Sequence, residues 1–254
     1  MAGHRRWIFQ FLAALLVACW PGFPASSLAE TNSPSVAALA ELTKPAKKIP
    51  FKDVILATTQ HRILDFDTNN AGHVELRRKI LQAAALASER ASAKGLSAAR
   101  ANEAGNHMEP FVKAALQEVG LRAGTPRTTA GAAQTTGYPD IEIEGQPPCY
   151  LELKTYNATT ANTTQRTFYY SPSTQPKVTH DALHLLLAYQ LEKTTRNGKP
   201  AFVPVHWKLL TLQDLTVDLK FEFNQSNRGL YGADAAKAVM AEGAVEGAGG
   251  GKEK

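Results

Sequence analysis

Between His73 and Gly95 the apolar residues Leu76, Ile80, Ala83 and Ala87 recur every three or four positions, one face of a helix that Gly95 ends. A second helix is expected over residues 106–120, "NHMEPFVKAALQEVG". Asn106 would be its N-cap, and Pro110 sits near the first turn, where early N–H groups lack intrahelical partners. The period then drops to two. Ile141 and Ile143 alternate with polar residues in "YPDIEIEG", as do Leu151 and Leu153 in "CYLELKTY", so both segments read as strands joined at "EGQPP". A polar loop follows over 157–175. Residues 176–193 predict a third helix with Val178, Ala182, Leu185, Leu186 and Tyr189 on one stripe. "VHWKLLTL" and "VDLKFEFN" read as closing strands. Helix, strands, helix, strands in that order describe a mixed α/β domain.

The ends differ in character from this middle. Arg5 and Arg6 precede the apolar run "WIFQFLAALLVACW", too short to span a bilayer comfortably, so residues 1–29 read as a signal peptide. "SLA" ending at Ala29 suits ordinary signal cleavage. "LVAC" at 16–19 is similar to a bacterial lipobox, which would make Cys19 a lipid anchor. Either exit implies an exported protein, periplasmic or envelope-anchored; a misassigned start codon would leave it cytoplasmic instead. Residues 30–50 mix Pro, Lys and small residues and read as a linker. Residues 51–231 make one domain. Residues 232–254, rich in Ala, Gly, Glu and Lys, read as a disordered tail.

Composition narrows this little. The 254 residues carry a net charge of +5, with 44% hydrophobic and 20% charged positions, ordinary for a globular protein and a weak pointer to an anionic partner. Cys19 and Cys149 are the two cysteines; if the first leaves with the signal, no disulfide can form and the core alone must hold the fold. No Gly-rich phosphate loop, Ser-His-Asp arrangement or cysteine metal cluster is visible.

The hairpin is where the pattern becomes chemistry. If its turn is symmetric about Gln146, Asp140 lies directly across from Glu152. Like charges facing each other on a sheet are destabilising. A divalent cation between them reverses that sign. Mg²⁺ suits one or two carboxylates with water and substrate phosphate as the other ligands, and Mn²⁺ is an alternative. Lys154 shares their face and is expected beside the same ion, placed to stabilise charge on a phosphorane or to help activate water.

Pro139-Asp140, eleven residues, then Glu152-Leu153-Lys154 resembles the signature of the PD-(D/E)xK nuclease superfamily. As an order of elements the likeness covers roughly residues 100–225, although the motif itself is five residues. It implies a restriction-endonuclease-like core, a mixed central sheet flanked by helices, and Mg²⁺-dependent hydrolysis of DNA. Asp140 and Glu152 would be the metal ligands and Lys154 their catalytic partner. Members often supply a further acid from the preceding helix, which would be Glu109; Asn106 and Glu109 also read as a capping box. The recombination-nuclease branch carries Gln-x-x-x-Tyr on the next helix. This chain has Tyr189-Gln190 there, closer to restriction-type members.

Other residues are candidates for contacts. Arg166, Tyr169 and Tyr170 in the polar loop, with Lys177 just beyond it, suit a DNA strand, the cations for phosphate and the rings for base stacking. His180 and His184, four apart on the expected third helix, could begin a zinc site or simply form its polar face. RNA is an alternative substrate. A non-catalytic envelope protein that keeps the fold as a binding scaffold is the rival reading, and the opposed acids argue against it.

Overall fold

The computed structural model describes residues 35–98, 101–164, 167–196, 198–232 and 239–241. The signal segment, Cys19, Arg166 and nearly all of the expected tail lie outside them. Two units are distinguished, Met1–Lys44 and Pro45–Lys254. The first contains α1 (Val36–Leu42), whose start is capped by Ser35 Oγ accepting the Ala38 N–H at 3.1 Å.

The second unit holds every other element. In chain order these are β1 (Ala46–Pro50), α2 (Phe51–Thr59), β2 (Ile63–Leu64), α3 (Ala71–Lys94), α4 (Ala101–Glu118), β3 (Arg122–Gly124), β4 (Ile141–Glu144), β5 (Cys149–Tyr156), β6 (Ala182–Arg196), β7 (Lys199–Thr211), β8 (Thr216–Leu219) and α5 (Asn227–Tyr231). A six-stranded sheet runs β2-β6-β5-β4-β3, with β7 also paired to β6. β6 is parallel to β5 and β2 and antiparallel to β7, so the sheet is mixed. β1 and β8 form a separate two-stranded sheet, which uses residues 46–50 of the stretch expected as linker.

Helices cover the sheet as the α/β reading requires. On one face α3 and α4 bring Leu76, Ile80, Ala83, Ala87, Met108 and Val112 against Ile141, Leu151, Leu183 and Leu185 in one core. The small alanines of α3 let the helices pack closely. On the other face Phe51 and Ile55 of α2 join Tyr138, Tyr150, Val178 and Leu212 in a second core. This architecture is consistent with a restriction-endonuclease-like core.

Two expected elements come out differently. Residues 182–196 are a strand and no helix forms over 176–193. Residues 182–185 and 187–189 are buried, and successive side chains go to different cores: Leu185 to the α3–α4 side, Leu186 to the α2 side. A strand buried on both faces is apolar without alternation, and such a run also satisfies a helical stripe. The helix over 106–120 begins earlier, at Ala101, so Asn106 lies inside α4 and caps nothing, and Pro110 is interior to the helix. Within this earlier stretch Gly105, without a side chain, lies against Thr155; a Cβ there would stand 2.9 Å from Thr155 Oγ1.

Candidate active site

The hairpin has the expected register. Ile141 pairs with Leu151, Glu142 with Tyr150 and Ile143 with Cys149, and continuing one step sets Asp140 opposite Glu152. Asp140 stands just before β4, where its Oδ2 accepts the Leu153 N–H at 2.7 Å. That bond ties the first acid to the strand carrying the second. Strand alternation sends Leu151 and Leu153 into the α3–α4 core and leaves Glu152 and Lys154 on the opposite face.

Glu152 is nearly fully buried, 3% exposed. Its Oε1 accepts from Lys154 Nζ, while Oε2 is buried with no hydrogen-bond partner among the described residues. Burial of the charge and, after it, the facing Asp140 push its carboxyl up to about 7, against the pull of Lys154 and Lys177. Asp140 is raised as well, chiefly by burial, with the Leu153 N–H and Lys154 opposing. Lys154 Nζ also donates to the Leu153 carbonyl at 3.1 Å.

Glu109 joins the same electrostatic cluster from α4. It receives a hydrogen bond from Lys113 at 2.5 Å, and Lys113 donates to Thr125 Oγ1 at 2.8 Å. The capping-box reading of Glu109 falls with Asn106, because the residue is in mid-helix. Its charge raises Asp140 and supports the protonated form of Lys177.

Lys177 was expected as a surface contact to nucleic acid. It is 3% exposed and donates to the carbonyls of Gly137 and Gln134, the latter at 3.3 Å. Burial lowers its pKa, with Asp140, Glu152 and Glu109 opposing in that order. Lys177 is therefore a second buried cation of the acid cluster, fixing the segment that leads into Asp140. Reading residues 176–193 as a helix hid this, since a helix start would have turned the lysine outward.

The remaining candidates separate. Tyr169 is exposed at 59%. Tyr170 is engaged: its hydroxyl bonds Thr58 Oγ1 at 2.6 Å, and its ring meets Phe51 and Tyr138 edge-on at 5.6 and 5.8 Å. The four-residue spacing of His180 and His184 loses its meaning without a helix. His184 Nδ1 is hydrogen-bonded to the Tyr138 hydroxyl at 2.5 Å, and burial pushes its pKa down to about 3, so it is neutral. His180 Nδ1 bonds the Tyr150 hydroxyl at 3.1 Å, and its Nε2 lies 3.8 Å from Glu142. Among the described residues no three His, Cys, Asp or Glu side chains gather into a metal cage.

In chemical terms the site is two opposed acids, one with a buried oxygen that has no partner among the described residues, with Lys154 bonded to Glu152 and Lys177 near enough to act electrostatically on both. A third acid and its own lysine stand behind them. A cleft of about 430 Å³ opens beside it, lined by Thr59, Gln134, Tyr138, Tyr170 and Lys177 among others.

The whole constellation lies within the span matched by a family model described as the Type II restriction enzyme MjaV family, residues 44–234. A curated relative, "Type II restriction enzyme MjaV" of Methanocaldococcus jannaschii, is 34% identical over 213 residues, covering 77% of this chain and 90% of the relative. No solved structure matches the chain. The chain belongs to the type II restriction enzyme MjaV family.

Proposed function

We propose that this protein is a divalent-metal-dependent endonuclease that hydrolyses DNA phosphodiester bonds at a centre of the PD-(D/E)xK type. Family membership supports the substrate and the reaction class. The observation that carries the residue assignment is Glu152 Oε2, a buried carboxylate oxygen without a partner, opposite a second acid in register. A buried carboxylate oxygen left unsatisfied is costly even when its twin is paired, and a cation would satisfy it. Asp140 and Glu152 fit Mg²⁺ or Mn²⁺ by this test: two hard oxygen donors that leave coordination positions for water and a phosphate oxygen. When bound, such an ion polarises the phosphoryl group and lowers the pKa of the attacking water.

The chain's own residues do the rest. Asp140 and Glu152 hold negative charge where the cation is needed. Lys154, on the face of Glu152 and paired with it, would stand beside the cation and the phosphate. There its ammonium stabilises charge developing on the non-bridging oxygens. Lys177 keeps the 134–137 segment in place through its two carbonyl contacts and so holds Asp140 in position. Glu109 acts as an outer acid, paired with Lys113 and supporting the charge of Lys177.

Incubation of the protein with plasmid DNA, with and without Mg²⁺ or Mn²⁺, tests the reading. Cleavage that needs the metal and disappears in Asp140→Asn is expected. A parent protein that cleaves no DNA under either metal would overturn it.

A further inference from the structure

The face of the sheet that bears Glu152 and Lys154 continues past them. β5 pairs with β6 and β6 with β7, so Lys154, Ala188 and Lys208 lie in one row, and Tyr156, Gln190 and His206 in the next. All six point to the same side, because their neighbours Leu153, Leu187, Tyr189, Trp207 and Leu209 belong to the α3–α4 core on the other. Ala188 is small, so nothing tall stands between the two lysines. His206 and Lys208 are exposed, and neither side chain has an ion-pair or hydrogen-bond partner among the described residues. Leu210, in the row of Glu152, is exposed at 45%. The paired stretches 184–190 and 204–211 contain no Asp or Glu.

Exposed Lys208 and His206, without partners among the described residues, stand on a face that leads away from the acid pair and meets its next acid only at Glu192, past Gln190; such a face is complementary to an extended polyanion. We infer that the outer face of β7 is a backbone-binding track for DNA, with Lys208, assisted by His206, holding a phosphate on the strand whose scissile bond lies at Lys154. β7 lies two strand spacings from β5, about 10 Å. That matches about three nucleotide steps of ~3.4 Å along a duplex axis. Lys208 thus meets a phosphate about three nucleotides from the reacting one. Such a contact carries no sequence information; it fixes the register of the duplex over the cluster of acids. Leu210, two residues along β7 from Lys208 on the same side, offers an apolar surface to a neighbouring sugar.

This inference rests on the nuclease reading for the identity of the polyanion, and its test separates the two. Binding of a mixed-sequence 30-base-pair duplex is measured without divalent metal, over a range of salt concentrations. The proteins are the parent, Lys208→Ala, His206→Ala and, as a control, Arg78→Ala on the helix layer behind the sheet. One lost phosphate contact lowers the slope of log affinity against log salt by about 1 in Lys208→Ala, with affinity falling roughly five-fold at moderate salt. The parallel loss in His206→Ala is smaller, and Arg78→Ala matches the parent. An unchanged salt slope in Lys208→Ala, or the same change in Arg78→Ala, overturns the inference. So does a Lys208→Ala effect on the protein's oligomeric mass with no effect on the slope, since the face would then meet a second copy of the chain. A parent that cleaves no plasmid yet loses salt slope with Lys208 would sink the nuclease reading and leave the track standing.

Discussion

Replacing Glu152 with glutamine should stabilise the metal-free protein, and the gain should depend on pH in a defined way. The folded chain holds the Glu152 proton up to about pH 7, whereas an ordinary glutamate loses it at 4.5. Between those values the folded state binds more proton than the unfolded chain, so this residue's contribution to stability falls as pH rises from 4.5 to 7 and is level beyond. At ~1.36 kcal/mol per pH unit the full fall is about 3 kcal/mol. Glutamine keeps the shape and removes the charge. The ion pair with Lys154 is already contained in that figure, because its pull is part of what sets the value of about 7. The expected gain at pH 8 is about 3 kcal/mol at ~1.36 kcal/mol per pH unit, read from urea unfolding in a chelating buffer, and it should vanish near pH 4.5. Asp140 is also raised, but it is present in both proteins, so the difference between the two curves isolates Glu152. Parallel stability curves from pH 4.5 to 8 would refute the reasoning. Saturating Mg²⁺ should flatten the parent's curve above pH 6 and leave the variant's unchanged, because the cation and the proton compete for one carboxylate.

Three further outcomes are expected. Mg²⁺ or Mn²⁺ should raise the melting temperature of the parent by mass action and leave that of Asp140→Asn unmoved; an equal rise in both would place the cation elsewhere. Lys154→Met keeps the apolar stem and loses the ammonium, so metal-dependent cleavage should fall by roughly 10²–10³ while DNA affinity changes far less; equal cleavage rates would remove Lys154 from the mechanism. Intact mass of protein recovered from the cell envelope should begin at Cys19 or near Glu30, and recovery of the full-length chain from the cytoplasm would sink the export reading.

What could be read from the sequence was what local spacing controls. The hairpin's two strands, its turn and its register follow from period-two alternation and one short connection, and from them came Asp140 opposite Glu152. α3 was equally legible in its buried face, Leu76, Ile80, Ala83 and Ala87, and in its stop at Gly95, although it starts at Ala71, two residues before His73, behind an Asn70 cap. β6 was not. Its residues contact both cores, so no alternation survived, and the positions of Val178, Leu185 and Tyr189 imitated a helical stripe.

That one error explains what was missed at the site. β6 lies parallel to β5, and parallel neighbours need a long crossover, here residues 157–181. This crossover brings Tyr170 onto Phe51, and it delivers Lys177 to the carbonyls of Gln134 and Gly137. The acid pair is encoded within fifteen residues, so a period reveals it. The cation that steadies it arrives from the end of a crossover, and its position exists only once β5 and β6 have paired. The same pairing sets Lys208 in line with Lys154, 54 residues apart in sequence and two strands apart in the sheet. Charge balance at this centre is thus a property of topology, and a lysine of unremarkable sequence context becomes buried because the sheet order leaves it no other place.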